Sequence, residues 1–152
     1  VAEILGSNPF SILPHVVALL VAYVLALPIG WNREKEERSA GLRTFPLVAL
    51  ASCGFVQAAE PIVSADPEAM ARIVEGIITG MGFIGGGAIL RMKESVKGTA
   101  TAASLWATGA IGTAVGLGSY DVAVVLSGAT IITLWVLSPL KPNLIKDNQP
   151  DP

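Results

Sequence analysis

Charge is scarce in this 152-residue chain. Asp, Glu, Lys and Arg make up 14% of it against 52% hydrophobic residues, and the mean hydropathy is +0.62. A soluble domain carries roughly a quarter charged residues. So low a share, gathered into clusters, excludes a disordered chain, a nucleic-acid binder and an ordinary water-soluble enzyme. The net charge of −2 gives no reason to expect a polyanionic partner such as nucleic acid. The one cysteine, Cys53, excludes a disulfide within the chain, and its apolar surroundings read as a small buried hydrophobe. The one histidine, His15, cannot build a multi-histidine metal site and, beside Pro14, reads as an interfacial residue. No basic segment precedes the first apolar run, so no cleaved signal is expected. There is no nucleophile–base pair, no carboxylate dyad at depth and no metal-ligand cluster. The expectation is a protein that is not an enzyme and carries no cofactor.

What the chain does have is long apolar sequence and 16 glycines. A hydrocarbon core of about 30 Å takes roughly 20 helical residues. Five runs meet or approach that length: residues 11–31, 45–59, 73–90, 98–120 and 122–140. They are apolar on all sides and longer than the alternating strands of an outer-membrane barrel, so they read as helices that satisfy their own backbone in lipid. The expected fold is all-α and integral to the membrane, a compact bundle of five transmembrane helices. The second run, 15 residues, reaches only about 22 Å, and its crossing calls for snorkelling by Arg43 and Glu60 or a thinner bilayer. Pro28 is expected to bend the first helix. Residues 1–140 read as one transmembrane domain, and 141–152 as a flexible cytoplasmic tail with no second domain.

Basic residues orient the bundle. Arg33, Lys35, Arg38 and Arg43 lie in the first connection, Arg91, Lys93 and Lys97 in the third, and Lys141 and Lys146 in the tail, with Arg72 alone on the opposite face. The positive-inside rule places the nine in the cytoplasm, with the N-terminus outside and the C-terminus inside. Acidic residues divide six to each face, which leaves the outer face negative.

Several residues stand out against this background. The run Gly80-Met81-Gly82-Phe83-Ile84-Gly85 spells a dinucleotide fingerprint, but the βαβ unit that gives the spelling its meaning is missing. Close helix packing is the better reading. Gly76 and Gly80, Gly82 and Gly86, and Gly112 and Gly116 each recur at a spacing of four, and with Gly85 they let backbones approach, within the chain or between chains. A broken helix exposing carbonyls at Gly85-Gly86-Gly87 is the alternative. Arg33 to Arg38 reads as a helical extension with Arg33–Glu37 and Glu34–Arg38 pairs. Arg43, set by the Gly41 turn at the mouth of the second run, can anchor to lipid headgroups, bind carbonyls or pair with Glu34 or Glu37. Arg33, Glu34, Glu37, Arg43 and Thr44 form the candidate cytoplasmic network. Glu75 is the one formal charge inside a run and hence a functional suspect, with an interfacial pair to Arg72 as the simpler account. Thr101, Ser104 and Thr108 share a helix face and, with Glu75, form a candidate polar seam; their hydroxyls bond either the preceding turn or a neighbouring helix. No wide aqueous pore is expected. Asp121 reads as the N-cap of the fifth helix.

Three blocks, in order, resemble the MgtC/SapB family of bacterial membrane proteins. They are Arg33-Glu34 with Ala40-Gly41-Leu42-Arg43-Thr44, then Gly80 through Gly87, then Val96-Lys97-Gly98 through Trp106, completed by Gly112, Gly116, Gly118 and Tyr120. One departure is Asn32, where many members have an acidic residue. The resemblance implies a multi-pass protein of the bacterial cytoplasmic (inner) membrane, tied to survival under low magnesium and to virulence. It implies a regulatory or binding role, with transport of Mg2+ or another small solute as the alternative. The residues themselves leave association with Mg2+ open. The expected partners are the lipid bilayer, a second copy in a homo-oligomer such as a dimer, and other membrane complexes.

Overall fold

The computed structural model describes residues 12–36, 40–63, 66–92 and 95–137. Their order is α1 (Ile12–Lys35), α2 (Thr44–Val63), α3 (Pro67–Gly87), β1 (Leu90–Met92), β2 (Ser95–Lys97), α4 (Thr99–Gly116) and α5 (Tyr120–Leu137). α1, α2, α3 and α5 are long and apolar enough to cross a membrane by length and composition. The strands form a small antiparallel hairpin between α3 and α4, with Leu90 opposite Lys97 and Met92 opposite Ser95.

Small residues on several sides of α4 put it at the centre, packed against each of the other four helices. A Cβ at Gly112 would stand 2.9 Å from the carbonyl carbon of Ala49, and one at Gly116 would meet Val56 Cβ at 2.7 Å and Cys53 O at 3.0 Å. α2 and α4 therefore meet backbone to backbone, with Cys53 buried between them. Gly109 receives the Met81 side chain of α3, and a Cβ at Gly85 of α3 would stand 3.4 Å from Ala102 O. On α1, Ala18, Ala22, Ala26 and Gly30 recur every four residues and are all buried, so one lane of small residues turns to the core. Ser127 of α5 ties to this helix through a hydroxyl donated to Leu25 O at 2.8 Å. Leu20, Val24, Phe55, Phe83, Val125 and Trp135 stay exposed and give the bundle an apolar outer coat.

Several helix ends depart from the apolar runs. α2 continues through Gln57, Glu60 and Pro61 to Val63, and its 20 residues reach about 30 Å. The shortfall expected of the second run disappears, because polar residues near a helix end lower hydropathy without stopping the helix. α3 starts six residues before its apolar run, at an N-cap in which Asp66 accepts from the N–H groups of Glu68 (3.0 Å) and Ala69 (3.1 Å). Glu75 consequently lies in the third turn rather than the first. It and Arg72 are both exposed, and among the described residues no ion pair joins them.

α3 ends at Gly87, where the N–H groups of Ala88 and Ile89 take the carbonyls of Gly85 and Gly86. Those carbonyls are thus bonded within the chain. Gly98 follows the hairpin with φ +92°, and a side chain there would collide with Ala88 O. α4 stops at Gly116, earlier than its apolar run suggests. Gly118 (φ +77°) donates to Val115 O and Ser119 donates to Ala114 O, a Schellman closure. Asp121 is the second residue of α5, so it lies in the first turn instead of capping it, and Ala123 N–H bonds to Ser119 O. α1 runs unbroken through Pro28 to Lys35.

Two glycine-to-alanine changes test this packing with opposite signs. Gly82→Ala meets open space and gains helix propensity, worth up to about 1 kcal/mol. Gly112→Ala drives a methyl group into the α2 backbone, an overpacking that costs about 1–3 kcal/mol. Thermal unfolding in detergent should move up for the first and down for the second; equal shifts would overturn the α2–α4 contact.

Candidate functional site

The candidate network forms where α1 meets α2. The last turn of α1 brings Arg33 and Glu34 beside the turn at Gly41, Leu42 and Arg43. The start of α2 is closed by Gly41 O, which accepts from Thr44 N (3.0 Å) and Phe45 N (3.1 Å). Leu42 N–H has no such partner and donates to Glu34 Oε2 at 3.0 Å. The carboxylate thereby sits at the positive end of α2, where a negative charge is favoured. Glycine is required opposite it, because a Cβ at Gly41 would overlap the Glu34 carboxylate. Gly30 completes the corner, since a Cβ there would stand 3.3 Å from Gly41 O, Leu42 Cα and Phe45 Cβ.

Arg33 is buried in this corner at 3% exposure, unusual for a guanidinium. Its Nε donates to Asn32 Oδ1 at 3.1 Å, and its Nη2 donates to the same oxygen. Asn32 thus keeps an acceptor at the position where a carboxylate is common in the family it resembles, without contributing charge. Lys35 Nζ lies 5.2 Å over the Trp31 ring, one helical turn back, a cation–π contact. Thr44 is the first residue of α2, and Arg43 beside it is exposed. Glu37, and Arg38 with it, lie outside the described residues.

The other candidate residues separate into two environments. Thr101, Ser104 and Thr108 are buried on α4, whereas Glu75 is exposed on α3. Ser104 Oγ donates to Ala100 O (2.6 Å), Thr108 Oγ1 to Ser104 O (2.8 Å) and Thr113 Oγ1 to Gly109 O (2.9 Å). These hydroxyls bond their own helix, the quieter of the two arrangements open to them. Of the glycines, Gly85, Gly112 and Gly116 face other helices of the chain. Gly76, Gly80, Gly82, Gly86 and Gly87 have nothing within 4 Å of an added Cβ, so α3 turns five glycines to open space.

Two of the cavities have charged residues in their lining. One, of about 460 Å3, opens among the start of α1 and the ends of α2 and α4, with His15, Gln57, Glu60 and Tyr120 in its lining. The other, of about 690 Å3, is a groove between α2 and α3, with Arg43 and Thr44 at one end and Arg72 at the other. Sequence reasoning missed the groove. Its signal is an i, i+3, i+4 pattern on both helices, Thr44, Leu47 and Val48 on α2 and Ile73, Gly76 and Ile77 on α3.

A sequence profile described as the MgtC family matches residues 19–142. Protein MgtC of Salmonella typhimurium is 39% identical over 121 residues, covering 80% of this chain and 50% of its own length. Protein SrpB of Synechococcus elongatus is 37% identical over 128 residues, 76% of this chain and 70% of its own. YhiD of Escherichia coli, named provisionally as a magnesium transporter, is 32% identical over 139 residues, 88% of this chain and 65% of its own. The chain spans about half the length of the Salmonella relative. No solved structure gives a significant match.

Proposed function

The chain belongs to the MgtC family, and from that premise we propose that it acts in adaptation to low magnesium as a regulatory or binding protein of the bacterial cytoplasmic membrane, not as an enzyme. The observation that supports binding over conduction is the contrast between α4 and α3. The middle of the bundle is filled by α4, where Ser104, Thr108 and Thr113 donate to carbonyls of the same helix and Gly112 and Gly116 carry the α2 backbone. α3 meanwhile turns Gly82 and Gly86 to open space, outside the α2–α3 groove that Gly76 and Gly80 line, a surface suited to another helix. Transport of Mg2+ or another small solute is the second reading, favoured by the provisional label of YhiD and by the polar lining at His15, Gln57 and Glu60. Purified protein in liposomes should pass Mg2+ no faster than protein-free liposomes. A protein-dependent Mg2+ flux would replace the regulatory reading with the second one.

The topology that fits this role has five crossings, an outside N-terminus and a cytoplasmic C-terminus. Support comes from the placement of basic residues and from α4, whose 18 residues reach about 27 Å, with Ser104, Thr108 and Thr113 bonded to their own helix. A reporter active only in the cytoplasm, fused after Pro152, should work. Activity of a periplasm-only reporter at that site would remove one crossing.

Self-association, most simply as a dimer, uses the same α3 face, as do other membrane complexes. Gly82→Leu and Gly86→Leu should convert the detergent-solubilised dimer to monomer without lowering thermal stability, since both positions are open within the chain. A wild-type protein that is strictly monomeric by light scattering would discard this part.

A further inference from the structure

The groove between α2 and α3 has a composition that selects its occupant. Leu47, Ala51 and Phe55 form one wall, and Gly80 and Ile84 belong to the other. Gly80 has no atom within 4 Å of an added Cβ, so a flexible chain can lie against bare backbone there. Among the described residues no carboxylate lines the groove, and the two charged residues there are Arg43 and Arg72. The stretch from Thr44 to Phe55 measures about 17 Å along α2 at 1.5 Å per residue. That is close to the hydrocarbon depth of one leaflet, half of about 30 Å.

We infer that this groove binds one anionic phospholipid of the cytoplasmic leaflet, with its phosphate on Arg43 and an acyl chain laid between α2 and α3. Arg43 is exposed, and among the described residues no ion pair engages it. Glu34, its neighbour across the turn, directs a carboxylate oxygen to Leu42 N–H instead. Thr44 lines the same end of the groove, and a guanidinium with a hydroxyl residue next to it in the chain suits a phosphodiester. Arg72 is the weaker anchor. It lies five residues inside α3, one turn from Glu75, away from any helix end. A second protein chain seated in the groove would have to bring its own carboxylate to Arg43, whereas a phospholipid carries anion and apolar chain in one molecule. The leaflet assignment rests on the orientation proposed above; the binding does not, so failure of the reporter test and failure of lipid binding are separate results.

Native mass spectrometry of the full chain released from detergent tests this, with phosphatidylglycerol or phosphatidylcholine of identical acyl chains added. The wild type should retain phosphatidylglycerol in preference. Arg43→Gln should lower that occupancy about tenfold, to the phosphatidylcholine level, as expected for loss of a charge-assisted contact. Gly80→Phe should lower both lipids by filling the groove, and Ala51→Phe on the facing wall reads the same quantity if the first variant does not insert. Arg72→Gln should keep the preference. Equal retention of the two lipids by the wild type, unchanged retention by Arg43→Gln, loss in Arg72→Gln alone, or a second copy of the chain bound in place of lipid would each overturn the proposal.

Discussion

The approach of α4 to α2 at Gly112 sets the spacing on which the other helices depend. In lipid there is little hydrophobic drive to bring helices together, so a backbone-to-backbone contact has to be held by dispersion over many atoms. Gly112 and Gly116 supply it by leaving room for Ala49, Cys53 and Val56. Once α2 and α4 are this close, α1 can reach both through its lane of Ala18, Ala22, Ala26 and Gly30, and α5 closes the remaining side. α3 is left at the edge, with Met81 and Gly85 as its buried residues and most of its surface facing outward.

That difference between α3 and α4 explains how far the sequence could be read. The apolar runs located all five helices, because long uncharged stretches leave few alternatives. Glycines at a spacing of four were legible as packing faces on both helices, yet spacing assigns a face without naming its partner. On α4 the partner is α2; on α3, Gly76, Gly80, Gly82 and Gly86 meet nothing in the chain. The alanine lane of α1 was not legible, since alanine is common in any apolar run and gains its meaning only from burial. Helix ends were misjudged wherever hydropathy and helicity diverge. Gln57 and Glu60 cost partition energy but fit a helix, whereas the hairpin at residues 90–97 is too short to show a period.

The corner between α1 and α2 was visible as a cluster of charge, but not as a set of bonds. Opposite charges four residues apart suggest ion pairs; Glu34 satisfies a backbone donor eight residues on, while Glu37 and Arg38, the partners in those pairs, lie outside the described residues. This choice follows from the helix end: Leu42 N–H needs an acceptor that no preceding turn provides, while exposed ion pairs gain little. Arg33 turns inward to Asn32, and Arg43 is left to face the groove. The corner thus combines a buried guanidinium and a capping carboxylate with Arg43 exposed at the groove.

Cys53 has a consequence of a different kind. It is the single thiol of the chain, fully enclosed, and its carbonyl oxygen borders Gly116 across the α2–α4 contact. A maleimide added to the folded bundle finds no sulfur to alkylate, and it finds one as soon as α2 peels away from α4. The native sequence therefore carries its own chemical clock for separation of the two central helices, with labelling rate as the readout and no engineered probe needed.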